Sequence, residues 1–224
     1  MSRFVFGISL ILTLGFLSAC TTRYEVIVNG FRNVNETMLP QATYAIFQPE
    51  NQKSDLEFQE YARMVEHKLE EKGYRKADIK SADIGVLINY GIDEGVTKYT
   101  ASSSPVYGTR SFSATAMGSG GSTFYSGQSS GIVGSQTSMD SHTVYKRVLT
   151  LQVVNLAKLR ADGSVGPIWK GETTSRGSRS DLRRVMPYLI EGTFLHFGEN
   201  TKMGILHTID EGDKAVENLR NASP

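Results

Sequence analysis

The sequence predicts an α+β fold, and three observations carry the prediction. Residues 83–94 (DIGVLINYGIDE) alternate with period two, setting Ile84, Val86, Ile88, Tyr90 and Ile92 on one side of a strand with one buried face. Phe58, Tyr61, Ala62, Val65 and Leu69 recur instead at helical spacing, with Glu60, Arg63, Glu66, Lys68 and Glu70 falling largely elsewhere. Residues 145–156 (YKRVLTLQVVNL) and 167–174 (PIWKGETT) flank Asp162-Gly163-Ser164, which reads as the turn of a meander. The 224 residues suffice for one domain with a sizeable core, with or without extensions. With 24 Lys+Arg against 23 Asp+Glu, the balance excludes a strongly basic nucleic-acid binder. A single cysteine excludes a disulfide framework and a cysteine-rich metal centre.

The chain opens on Met1-Ser2-Arg3, an apolar run from Phe4 to Phe16, and Leu17-Ser18-Ala19-Cys20. A short basic start, a hydrophobic stretch of this length and small residues before a cut site describe a secretory signal. The run is too short for a transmembrane helix. Leu-Ser-Ala-Cys resembles the lipobox of bacterial lipoproteins. That resemblance implies a diacylglyceryl group on the Cys20 thiol, cleavage before Cys20, and acylation (palmitate-type chains) of the new amine. Each buried methylene contributes ~0.8 kcal/mol, and several chains together make such an anchor effectively permanent. Thr21 stands where inner-membrane members of that class usually carry Asp, so the implied location is the periplasmic face of the outer membrane. The expected membrane contact is through the lipid alone, with no other cofactor. Without Arg3, the chain from Cys20 onward is formally neutral, so electrostatic recognition has to be local.

After the leader (1–19), residues 20–40 read as a tether and N-terminal extension, in which Tyr24–Asn29 alternates weakly. The α+β domain spans 41–198. Thr43–Gln48 is a strand between Pro40 and Pro49; Ser54 and Glu57 form a capping box for the first helix, and Gly73 caps its end. A second helix covers Asp181–Phe197, with Val185, Tyr188, Leu189, Phe194 and Phe197 available to the core. Pro187 either kinks that helix or sits in its first turn. Residues 199–224 form a C-terminal extension, where Thr208 with Glu211 offers a capping box and Val216 and Leu219 suit a short helix.

Between the two central strands lies a Ser/Gly/Thr-rich insertion, 99–143, whose only formal charges, with histidine neutral, are Arg110 and Asp140. Tyr107, Phe112, Phe124 and Tyr125 are scattered through it. Such composition buries too little apolar surface to offset ordering, roughly 1–2 kcal/mol per residue. Two readings stay open: a mobile loop, or a hairpin extension whose aromatics dock on a partner.

The chain resembles envelope lipoproteins carrying the domain of unknown function numbered 4136. The resemblance rests on Thr43–Phe47, Leu69-Glu70-Glu71-Lys72-Gly73-Tyr74, Ala82–Val86 and Ile168-Trp169-Lys170-Gly171-Glu172, in that order, together with the cysteine. It spans about Gln41 to Phe197. The implied fold is a two-layer sandwich, a mostly antiparallel sheet with helices on one face, one parallel pair arising from the first strand–helix–strand unit. The family has no established reaction, so no functional residue is carried over.

No catalytic or metal-binding constellation is expected. His67, His142, His196 and His207 lack ligand spacing; His67 reads as a solvated helical residue and His196 as a core margin. There is no G-x-S-x-G elbow and no S-x-x-K run, and Asp93-Glu94 would point to opposite faces of a strand. Residues 118–122 (GSGGS) lack the lysine of a phosphate loop. Lone Trp169 reads as core. Lys170, Arg176, Arg179, Arg183 and Arg184 cluster in sequence around the start of the second helix, either as a solvated basic turn or as an anion- or partner-binding patch. The expected function is a non-catalytic binding or assembly module for an envelope protein or peptidoglycan, the alternative an envelope hydrolase acting on cell-wall or lipid substrates.

Overall fold

The computed structural model describes residues 22–48, 55–119 and 121–222. The leader with Cys20 and Thr21, the cap residue Ser54, Gly120 and the side chain of Tyr125 lie outside the described residues. The chain divides into two units, 1–93 with 146–224, and 94–145.

The first unit carries a mostly antiparallel open sheet. Its strands are β1 (Arg23–Arg32), β2 (Thr43–Phe47), β3 (Arg75–Lys76), β4 (Ile84–Ile92), the last part of β6 (Gly121–Asn155), β7 (Gly166–Gly177) and β8 (Ile205–Asp210), in the order β3-β2-β4-β6-β7-β1-β8. Its helices among the described residues are α1 (Leu56–Glu71), α2 (Leu156–Asp162), α3 (Leu182–Leu195) and α4 (Lys214–Asn221). β2 and β4 run parallel on either side of α1 in sequence, as the strand–helix–strand order requires. No helix among the described residues is long and apolar enough to cross a membrane.

The period-two residues of β4 meet those of β6 antiparallel, Val86 opposite Val153 and Ile88 opposite Leu151, all buried. Phe58, Tyr61, Val65 and Leu69 of α1 and Val185, Tyr188, Leu189 and Phe194 of α3 close over that face. Each such side chain contributes roughly 1.5–3 kcal/mol when fully buried. Lys68 ties α1 to α3 through Glu191 at 3.0 Å. A smaller cluster of Ala45, Ala82, Val154 and Leu156 lies apart from the main core, on residues out of phase with it along β2 and β6.

Several expectations need correction. The cap of α1 is Asp55, whose carboxylate accepts from the N–H groups of Glu57 and Phe58. The strand expected through Leu156 ends at Asn155, which caps α2, and Gly163, with φ +74°, closes that helix in the left-handed region. Pro187 falls in the second turn of α3, whose cap is Asp181. The segments 20–40 and 199–224, read as extensions, supply β1, β8 and α4 to the sheet and core: β1 pairs with both β7 and β8. The Thr208–Glu211 capping box does not form, because Thr208 belongs to β8; Asp213 caps α4, and Val216 and Leu219 are buried as expected.

The second unit is a ribbon. β5 (Val96–Gly118) pairs antiparallel with β6 from Gly121 to Val144, with one register shift at Val106/Tyr107. Of the two readings of the insertion, the hairpin extension describes the backbone. Directly opposed residues share a face, so the pairs Lys98–His142, Thr100–Asp140 and Arg110–Ser129 gather the charged groups on one side. The other side carries Tyr99, Tyr107 opposite Ile132, Met139 opposite Ala101, and Phe124 opposite Thr115. That side has no charged residue, and Tyr107 is 73 % and Phe124 67 % exposed.

Candidate functional site

The five basic residues singled out in sequence do not form one patch. Arg183 grips Glu60 of α1 with two nitrogens, at 3.0 and 2.8 Å. Arg184 reaches Glu211 at 2.7 Å, and Lys170 reaches Glu172 at 3.4 Å along β7. Folding thus supplies carboxylates to three of the five. Arg176 and Arg179 remain together, at the end of β7 and in the turn toward α3, lining one cleft with Arg23, Glu25 and Arg147.

Arg147 is the residue that sequence reasoning missed. It is in phase with Leu149, Leu151 and Val153 along β6 and, like them, buried, at 2 % exposure. A charged residue in phase with three buried aliphatics was the available signal. Its Nη1 donates to the Arg179 carbonyl at 3.3 Å, while its Nε has no hydrogen-bond partner. Burial, and then the neighbouring Arg179 charge, push Arg147 below the ordinary arginine range, opposed by Tyr24 and Asp93. A guanidinium nevertheless keeps its proton in a protein. Gly177 makes the space: a Cβ there would stand 2.7 Å from Arg147 Nη2.

His196 sits at the margin of the core, as the sequence reading has it, and meets a histidine distant in sequence. His196, the C-cap of α3, and His207 of β8 are eleven residues apart, yet their Nε2 atoms lie 2.9 Å from each other. His196 Nδ1 lies 2.7 Å from Glu199 Oε2. An ionised carboxylate only accepts, so His196 donates through Nδ1; in the neutral imidazole tautomer this fixes, Nε2 is the acceptor left for His207. Among the described residues no group of three His, Cys, Asp or Glu is arranged to hold a metal. His67 pairs with Glu71 one turn along α1.

Burial, with His196 facing it, holds His207 below the ordinary histidine value of 6.5. The unfolded chain therefore takes up a proton on this side chain at a higher pH than the folded one. The associated stability is present above 6.5 and is lost as pH falls below it. The urea midpoint of the wild type should drop between neutral and mildly acidic pH, and His207→Gln should flatten that drop. An unchanged pH profile in the variant would contradict the placement of His207.

A mostly antiparallel sheet with α1, α3 and α4 on its main core face and the short α2 on the smaller, out-of-phase cluster, and with a ribbon inserted before β6 enters the core, is a small α+β domain elaborated by one long hairpin. The chain belongs to the family described as Domain of unknown function (DUF4136), whose model matches residues 37–197. No curated protein matches. Among solved structures, the chain is similar to the crystal structure of a PDZ domain protein from Parabacteroides distasonis ATCC 8503, with 14 % identity and a TM-score of 0.42. That similarity covers 85 % of this chain and 40 % of the other.

Proposed function

We propose that the protein is a non-catalytic binding or assembly module, tethered through lipid on Cys20 to the periplasmic face of the outer membrane, whose ribbon arm engages an envelope protein. The observation that carries this reading is the arm. Among the described residues β5 pairs with β6 and with no other strand, so a strand of 23 residues presents its other edge unpaired there. An isolated two-stranded ribbon is marginally stable in water, and an open edge is a template for an added strand. The occupant we commit to is an extended protein segment. Backbone pairing supplies its affinity, Tyr99, Tyr107 and Phe124 supply side-chain contacts on the uncharged face, and the cations of β5, Lys98 and Arg110, favour acidic residues on the other.

Photocross-linkers placed at Tyr107 and Phe124 in cells should yield a discrete protein adduct. Tyr107→Ser with Phe124→Ser, tested from a neighbouring cross-linker position, should lose it. An adduct with glycan instead of protein would overturn the choice of partner, and no adduct from an abundant, anchored chain would overturn the module.

A further inference from the structure

We propose that the cleft formed by Arg147, Arg176 and Arg179 is a binding site for a phosphate-group anion. Four cations elsewhere meet carboxylates at short range: Lys76 on Glu66 at 2.6 Å, Lys158 on Glu36 at 2.8 Å, Arg183 on Glu60 at 2.8 Å, Arg184 on Glu211 at 2.7 Å. The three arginines of this cleft have no such partner. Among the described residues, Arg147, Arg176 and Arg179 make no ion pair, and the buried Arg147 has an unused donor on Nε. Removing a partner from a buried charge is strongly destabilising, so a buried guanidinium kept without a carboxylate calls for an anion from outside.

The neighbouring acids do not fill that role. Asp93 acts on Arg147 through its field, but its Oδ1 accepts from the Lys146 N–H at 2.8 Å. Glu25 lines the cleft, and Arg23, also on the rim, already meets Asp210 at 3.1 Å. The lining holds Arg147, Arg176 and Arg179, none of them in an ion pair among the described residues, against Glu25, so its charge balance is positive. A phosphate monoester, at about −1.5 to −2 near neutral pH, matches that balance and offers three acceptor oxygens to guanidinium forks. The close backbone approach at Gly177, which admits the Arg147 head group, and the Arg179 carbonyl, which fixes it, hold the central donor in place before any ligand arrives.

The test is calorimetric titration of the purified full chain with inorganic phosphate, at ionic strength held constant with chloride. A parallel arm uses phosphatidylcholine vesicles with and without phosphatidic acid. Wild type should bind saturably in at least one arm and melt higher with its ligand. Arg147→Met should lose the binding and the ligand-dependent shift while melting, without ligand, no lower than wild type, since methionine removes the uncompensated charge. Arg176→Gln and Arg179→Gln, both at the rim, should each weaken binding about tenfold and leave the unliganded protein folded. Binding only to phosphatidic acid would assign a lipid headgroup; binding only to free phosphate would assign a soluble ligand. No saturable binding in either arm, or binding equal in wild type and Arg147→Met, overturns the site. The arm's cross-links are independent of either result.

Discussion

Replacing Trp169 with alanine should cost the fold about 4 kcal/mol, within the range for deleting a large buried aromatic. The ring is 1 % exposed, between Gly171 on its own strand and Phe197, whose centroid is 4.9 Å away. Its Nε1–H donates to the Glu199 carbonyl at 2.9 Å. Glu199 in turn holds His196, and Thr201 bonds to Gly30 of β1 through its own N–H and hydroxyl, so the indole secures the whole turn between α3 and β8. Truncation leaves a cavity and an unpaired carbonyl together. Trp169→Phe should retain most of the packing and lose about 1–2 kcal/mol, mainly from that carbonyl. Urea unfolding measures both. Because the chain has one tryptophan, its emission reports the same site: blue in the folded wild type, red in urea. A red maximum under native conditions would sink this placement.

Trp169 also marks what was readable beforehand. Apolar residues at period two on the main core face announce a strand, which is why β4, the core part of β6 and β7 lie close to where the residues put them, although β4 and β6 also feed the smaller cluster on the other phase. Helix α1 was legible because its apolar residues keep helical spacing, although two cap-type residues stand side by side and the second, Asp55, takes the role. α2 is only seven residues and continues the apolar run of β6; its signals were Asn155 before it and Gly163 after it. β1 and β8 are joined by pairs such as Val26 with His207, and a single local window cannot show a partner so distant in the chain.

The basic cluster shows the same limit in the opposite direction. Nearness in sequence between Arg176 and Arg184 suggested one patch, but Glu60 and Glu211 arrive from α1 and from beyond β8 to take Arg183 and Arg184. What remained was a different grouping around Arg147, a residue hidden within a strong strand pattern. Composition was weakest for the insertion. Ser, Gly and Thr bury little, so they look the same in a loop as in a ribbon held by backbone pairing.

Excising the arm should separate binding from folding. The ends of the cut already meet: Asp93 N–H donates to the Lys146 carbonyl at 3.0 Å, and the Lys146 N–H returns to Asp93 Oδ1 at 2.8 Å. A two-residue Asn-Gly turn in place of 94–145 is therefore compatible with a tight hairpin between β4 and β6. The arm's described side chains are almost all exposed, so its removal takes little buried surface from the protein. The slope of stability against urea, which scales with the surface exposed on unfolding, should stay nearly constant, and the midpoint with it. Capture of the proposed envelope partner should disappear entirely, a far larger effect than any single substitution in the arm, because the open β5 edge and the uncharged face leave together. A collapse of the midpoint would show that the core depends on the arm. Undiminished capture by the excised protein, read from cross-linkers on the core, would move the binding surface off the arm and onto the sheet unit itself.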